Sequence, residues 1–273
     1  YGIHFIRQDI DNCPDIVADI DHVVDISRGT TIEQNGVKIF TVEHALAAVS
    51  GLRIDNVLIE LSAKEPPVMD GSSKDFVEAL QKSGIVEQKK SRRVLEISEP
   101  VSYSDPKRGV DIHVVPSDRF RVTFMIDYKL PSLGSQYTAV YNMQEDFARE
   151  VAPARTFCFL SEIEELREIG LIKGGALDNA VVIVDKEIDN TEVNRLKSLF
   201  GIKEEIIMGA NGILNGKRLR YKNEPVRHKT LDLIGDMALL GFPIKGHVTA
   251  ARSGHASNVE FVKMIRSTYS DFF

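Results

Sequence analysis

His228 and Asp232 lie four residues apart in a stretch that reads as a helix, so an imidazole and a carboxylate share one face and can bind one metal ion. Asp236 continues that polar stripe, while Leu231, Ile234 and Ala238 supply the side that turns to a core. Taken alone, a histidine and an aspartate at this spacing more often describe a hydrogen bond on a helix surface. A second histidine changes the reading. Glu43-His44 opens a similar helix much earlier in the chain, and a nitrogen from there completes a His2Asp site with one position left for water. Zinc held that way lowers the pKa of bound water towards about 7 and polarises a carbonyl, the two requirements of amide hydrolysis.

Three neighbours extend that chemistry. Glu43 can take a proton from the attacking water, or it is a first-turn acid favoured by the helix dipole. His255 follows Gly254 at the start of the last helix, where it can protonate a leaving amine or pack as an ordinary histidine. Lys229, beside His228, can stabilise an oxyanion or sit solvated.

The elements that must position these residues show a repeat. Thr41 to Ser50 reads as a helix with Thr41 as N-cap and Gly51 as its stop, followed by a strand over Ile54 to Leu61. The turn Pro66 to Gly71 leads to a second helix, with Ser72 and Asp75 spaced as a capping box and Gly84 at its end. The same order recurs later: a helix over Asn223 to Leu240, a strand over Ile244 to Ala251, the turn Arg252-Ser253-Gly254, and a helix over His255 to Ile265. His44 precedes Phe76 by 32 residues and His228 precedes Phe261 by 33, which predicts an internal duplication. The expected fold class is therefore α+β, with two similar sheet-and-helix sandwich domains and the active site in the cleft between them. The polar run Glu87 to Arg93 is the predicted linker, dividing a first domain over residues 1–90 from a second over 91–273. Val94 to Ser102, Val110 to Val115 and Phe120 to Asp127 read as antiparallel strands, Glu162 to Ile169 as a short helix, and Thr191 to Phe200 as an amphipathic surface helix.

Composition narrows the alternatives. The 273 residues are 43% hydrophobic, enough to bury a full core. A net charge of −6 argues against a dedicated nucleic-acid binder, and the basic run Lys217 to Lys222 reads as a solvated strand or a contact to substrate phosphate. The two cysteines, Cys13 and Cys158, form neither a disulfide framework nor a thiolate zinc cluster, which fits a cytoplasmic, reducing home. No apolar run approaches the ~20 residues of a membrane span.

Several motifs together carry a resemblance: Thr41-Val42-Glu43-His44, Met69-Asp70-Gly71-Ser72, Ala154 to Phe159, Lys173-Gly174-Gly175, Asn223 to Lys229 and Leu231 to Asp236. In this order, with Gly246-His247 and Gly254-His255 after them, the sequence resembles the UDP-3-O-acyl-N-acetylglucosamine deacetylase family, LpxC, over nearly its whole length from Gly2 to Ile265. That family performs the committed deacetylation of lipid A biosynthesis. The resemblance implies that His44, His228 and Asp232 bind Zn2+ and that Glu43 is the general base. It further implies His255, held by Asp236, as general acid or oxyanion stabiliser, with Thr156 assisting the tetrahedral intermediate through its hydroxyl and Lys229 contacting substrate or stabilising charge. Phe157 would meet the sugar or nucleotide, and Ile163, Leu166, Leu171 and Ile172 would line a passage for the acyl chain; ordinary helix and strand core is their other reading. The implied partner is a UDP-linked acylated glucosamine, bound by a monomer with no nucleic acid, no integral membrane segment and at most loose membrane contact.

The sequence departs from the family pattern in two places. The opening strands and a glycine-rich segment of the family are expected to be missing, exposing a sheet edge, and the stretch from Asp185 to Arg220 reads as a subgroup insertion. A catalytically silent scaffold with structural zinc is the competing class. Three converging ligands and no thiol favour catalysis over it. Another zinc deacetylase is the runner-up among enzymes, and no HExxH supports a peptidase.

Overall fold

The protein is described by a computed structural model that covers residues 2–27, 29–130, 133–162, 179–185, 189, 191, 194–195, 212–214 and 218–273. All of the expected helix from Glu162 to Ile169 but its first residue, most of the stretch from Asp185 to Arg220, and the acyl-passage candidates Ile163, Leu166, Leu171 and Ile172 lie outside these residues.

Two helices occupy the middle of the molecule. Eight of the nine residues of α1 (Glu43–Gly51) are buried, as are twelve of the fifteen in α4 (Glu224–Ala238). A helix buried all round must lie between layers, and these two pack most extensively on each other. Their sequences allow it because α1 is rich in alanine, while α4 places Gly235 where the helices cross. A Cβ built on Gly235 would stand 2.2 Å from the Glu43 carbonyl oxygen, so only glycine permits this approach.

Before α1, strands β1 (Ile3–Arg7), β2 (Asp15–Val17), β3 (Val23–Asp25), β4 (Thr31–Gln34) and β5 (Val37–Ile39) are formed. With β6 (Val57–Leu61), they make two three-stranded sheets, ordered β2-β1-β6 and β3-β4-β5. Helix α2 (Lys74–Ser83) follows. After α2 come β7 (Leu95–Glu96), β8 (Val101–Asp105), β9 (Val110–Pro116), β10 (Arg121–Asp127) and β11 (Ser135–Val140). The short α3 (Met143–Asp146), β12 (Phe157–Phe159) and β13 (Val181–Ile183) precede α4. After it, β14 (Ile244–Ala251) completes a six-stranded sheet, and α5 (His255–Thr268) packs on β8, β9 and α4. Strict alternation of buried and part-exposed residues along β14 turns one face of this sheet to the core.

The duplication is visible in connectivity. β6 follows α1 and pairs parallel with β1; β14 follows α4 and pairs parallel with β10. Each strand then leads through a loop to a helix, α2 or α5.

Several local expectations are corrected. Thr41 does not cap α1: its φ is +53° and its hydroxyl donates to Glu65 Oε1 at 2.6 Å, leaving Val42 as the residue before the helix. The Ser72–Asp75 box does not form either. Ser72 turns back to Asp70, and Ser73, the true N-cap of α2, donates its hydroxyl to the His44 carbonyl at 2.7 Å. The single strand expected over Val94 to Ser102 is split into β7 and β8, which pair with different partners, β14 and β9.

Candidate active site

The crossing of α1 and α4 brings His44 against His228, their rings edge to face with centroids 5.0 Å apart. Asp232 joins them, its Oδ1 at 3.3 Å from His228 Nε2 and 3.8 Å from His44 Nε2. One ligand atom from each of the three residues lies within 4.8 Å of the others, and all three residues are buried. Among the described residues this is the His/Cys/Asp/Glu group that could hold a metal ion.

Two details fit the trio to a cation. Asp232 Oδ1 is buried with no hydrogen-bond donor, although an unpaired buried carboxylate oxygen is costly; an ion bound there would satisfy it. His228 Nδ1 lies 3.0 Å from the Ala154 carbonyl. A carbonyl only accepts, so Nδ1 carries the hydrogen and Nε2 presents its lone pair to the trio. Burial holds both imidazoles neutral: it pushes His44 down to about 3 and lowers His228 as well. Burial alone would raise Asp232, but His228, Lys229 and His255 outweigh it and keep that carboxyl well below the usual range. Lys229 Nζ donates to its Oδ2 at 2.8 Å, and although burial opposes its charge, Asp232 holds the ammonium protonated.

A second network borders the first. Glu43, the opening residue of α1, is 2% exposed, and its Oε2 accepts the Thr30 backbone N–H at 2.9 Å. Burial pushes its carboxyl up to about 7 against the pull of His255. His255, at the start of α5, donates Nδ1–H to Asp236 Oδ2 at 2.9 Å; its Nε2 stands 3.9 Å from Glu43 Oε1 and 3.8 Å from Asp232 Oδ2. Burial opposes its charge, but Asp236 and Asp232 raise it to about 9. Asp236, fully buried, also accepts from Thr30 Oγ1 at 2.6 Å and from Asn258 Nδ2 at 2.8 Å. A base near neutrality thus faces an acid above it, a pairing suited to moving protons in both directions.

The wall of the site comes from the segment before β12. Arg155 and Glu224 form a buried ion pair, Nε to Oε1 at 2.8 Å, and the Arg155 backbone N–H also donates to Oε1. That pair fixes Ala154 on one side and Thr156 on the other. Thr156 N–H donates to the Gly71 carbonyl at 2.7 Å, and Gly71, at φ +81°, leaves no room for a Cβ beside the Asn179 carbonyl. Phe157 stacks edge-on with Tyr128 at 5.8 Å, and Lys229 Nζ lies 5.9 Å from its ring centre. Phe159 completes the aromatic group, 5.2 Å from Tyr128.

In the basic run near residue 220, Arg218, Arg220 and Lys222 are exposed; Arg220 donates to Asp70 Oδ2 and the Pro153 carbonyl, and the Arg218 carbonyl accepts from Arg155. His247 lies on β14 and pairs with Thr123 at 2.9 Å. Burial raises the Cys158 thiol to about 12, so it is no nucleophile at neutral pH. Four contributors escaped sequence reasoning: Thr30, Asn258, Tyr128 and the Ala154 carbonyl. Ala154 opens one of the motifs that carry the resemblance, but nothing in it marks its carbonyl, and no motif marks the other three.

Comparison with known proteins matches the family model for UDP-3-O-acyl N-acetylglycosamine deacetylase, LpxC, over residues 1–201 and 198–267. The chain belongs to the LpxC family. It is 53% identical over 271 residues to the bifunctional enzyme LpxC/FabZ of Chlorobaculum tepidum, covering 99% of this chain and 58% of that protein. It is 38% identical to the bifunctional LpxC/FabZ of Bacteroides thetaiotaomicron, with 97% of this chain and 57% of that one covered. The UDP-3-O-acyl-N-acetylglucosamine deacetylase of Myxococcus xanthus is 38% identical over 98% of this chain and 76% of its own. The chain therefore spans under two thirds of the bifunctional relatives and most of this single-function LpxC relative. No helix among the described residues is long and apolar enough to cross a membrane.

Proposed function

We propose that this chain is a zinc-dependent deacetylase that removes acetate from the 2-acetamido group of a UDP-linked 3-O-acyl-glucosamine, a step of lipid A biosynthesis. The observation that carries the reading is the buried, unpartnered Asp232 Oδ1 facing two neutral histidines in an LpxC chain. Zinc in that setting supplies activation of water and polarisation of the amide carbonyl.

The chain's own residues do the rest. Glu43, fixed through Oε2 by Thr30, takes the proton of the attacking water. His255, oriented through Nδ1 by Asp236, presents Nε2 and delivers a proton to the departing nitrogen. One C–O bond forms, the amide C–N bond breaks, and acetate and a free amine leave. Lys229, whose Nζ donates to Asp232, is placed to stabilise the developing oxyanion, the Thr156 hydroxyl is assigned the same task from the family resemblance, and Phe157 with Tyr128 offers flat apolar surface to the sugar or uracil.

The test pairs zinc content with acetate release from the UDP-sugar. Asp232→Asn and His228→Ala lose the metal; Glu43→Gln keeps it and loses about 10²- to 10⁴-fold in turnover, the range of a general base. Equal metal loss in all three variants removes the distinction between ligand and base, and with it the mechanism.

A further inference from the structure

We infer that Thr30 is a positioning residue that ties the two proton-moving groups of the site to each other across the two halves of the molecule; the inference rests on the deacetylase reading above. Thr30 is fully buried, just ahead of β4, and its carbonyl accepts the Val42 N–H at 3.1 Å as the chain enters α1. Its own backbone N–H donates to Glu43 Oε2 at 2.9 Å. Its hydroxyl donates to Asp236 Oδ1 at 2.6 Å, although 206 residues separate the two, and stands 3.3 Å from His255 Nδ1.

Main chain and side chain thus serve different partners. The backbone bond orients the base, whatever side chain position 30 carries. The hydroxyl orients the acid through Asp236. That carboxylate accepts from His255 Nδ1 and Asn258 Nδ2 on Oδ2, and from Thr30 on Oδ1. Without the third donor Oδ1 is left buried and unpaired, and the carboxylate is free to rotate away from His255. An imidazole whose Nε2 must point at the reacting atoms tolerates little of that motion.

The experiment compares Thr30→Val, which keeps the shape and deletes the hydroxyl, with Thr30→Ser, which keeps the donor. In the zinc-loaded full chain, Thr30→Val is expected to lower kcat about tenfold to a hundredfold, the effect of one bond to a charged group, with KM and zinc content held. Thr30→Ser returns kcat close to the parent. A parental kcat in Thr30→Val, or a Ser variant as damaged as Val, overturns the inference. Should Thr30→Val fail to fold, Thr30→Ala takes its place; failure of both shows that the hydroxyl serves stability and also overturns it. A second readout does not need turnover: the low-field proton resonance of His255 Nδ1–H moves or broadens in Thr30→Val and persists in Thr30→Ser, and an unmoved signal in both refutes the tether. If the parent protein releases no acetate from the UDP-sugar, the deacetylase reading fails by itself while the resonance still decides the role of Thr30.

Discussion

Replacing Gly235 by alanine tests whether the helix crossing builds the site. Two effects oppose each other. Alanine in a helix interior is favoured over glycine by about 1 kcal/mol, so a loosely packed crossing would be stabilised. Here the added Cβ would stand 2.2 Å from the Glu43 carbonyl oxygen and 2.8 Å from its carbon. Both are backbone atoms, so no side chain can swing aside. Ordinary contact begins near 3.4 Å, so α1 and α4 must separate by about 1 Å. Overpacking against rigid atoms costs about 3 kcal/mol, which leaves a net loss of about 2 kcal/mol after the helical gain and a melting temperature lower by at least about 4 °C. The same separation moves His44 from His228 and Asp232 by several times the ~0.2 Å tolerance of a metal–ligand distance, so zinc affinity falls at least about tenfold. Thermal unfolding and chelator competition for zinc are the measurements. A variant that melts at or above the parent temperature and holds zinc as tightly would refute the argument that this contact sets the ligand geometry.

Other outcomes follow from the charges. Glu43, raised to about 7, must be deprotonated to act, so activity rises with pH through that limb; His255, raised to about 9, must be protonated, so activity falls through the second. Zinc's positive charge favours the deprotonated form of both, so in the loaded enzyme both limbs lie below these values, and a kcat/KM profile of His255→Ala lacks the alkaline limb; its persistence there removes the assignment. Arg155→Met leaves Glu224 buried without its partner and should cost about 3–5 kcal/mol in denaturant unfolding. It also frees the segment carrying the Ala154 carbonyl, so zinc binding weakens with it; a stable variant with parental zinc affinity contradicts that role.

The almost wholly buried α1 shows how far pattern reading reaches. The stretch from Thr41 to Ser50 reads as a helix, but nothing in it predicts that almost every residue is covered, as happens because α4 and α2 both pack on it. The strand Ile244–Ala251 was legible to the residue, since alternation across a sheet with one buried face has a period of two and sharp limits. Thr41 and Ser72 carried good capping chemistry, but a distant acceptor, Glu65, took the first hydroxyl and a local one, Asp70, took the second.

What the sequence by itself determined is local or duplicated: His228 and Asp232 on one helical face, Glu43 beside His44, the α+β class, and the matching order of elements in the two halves. Each has a signature within a few turns of helix or in a recurring spacing. What only the tertiary structure decided is which distant groups meet: His44 with His228 across the Gly235 crossing, Thr30 with Asp236, and the Ala154 carbonyl with His228 Nδ1. A backbone carbonyl has the same identity in every residue, and a contact over 206 residues has no period, so neither leaves a mark in the order of side chains.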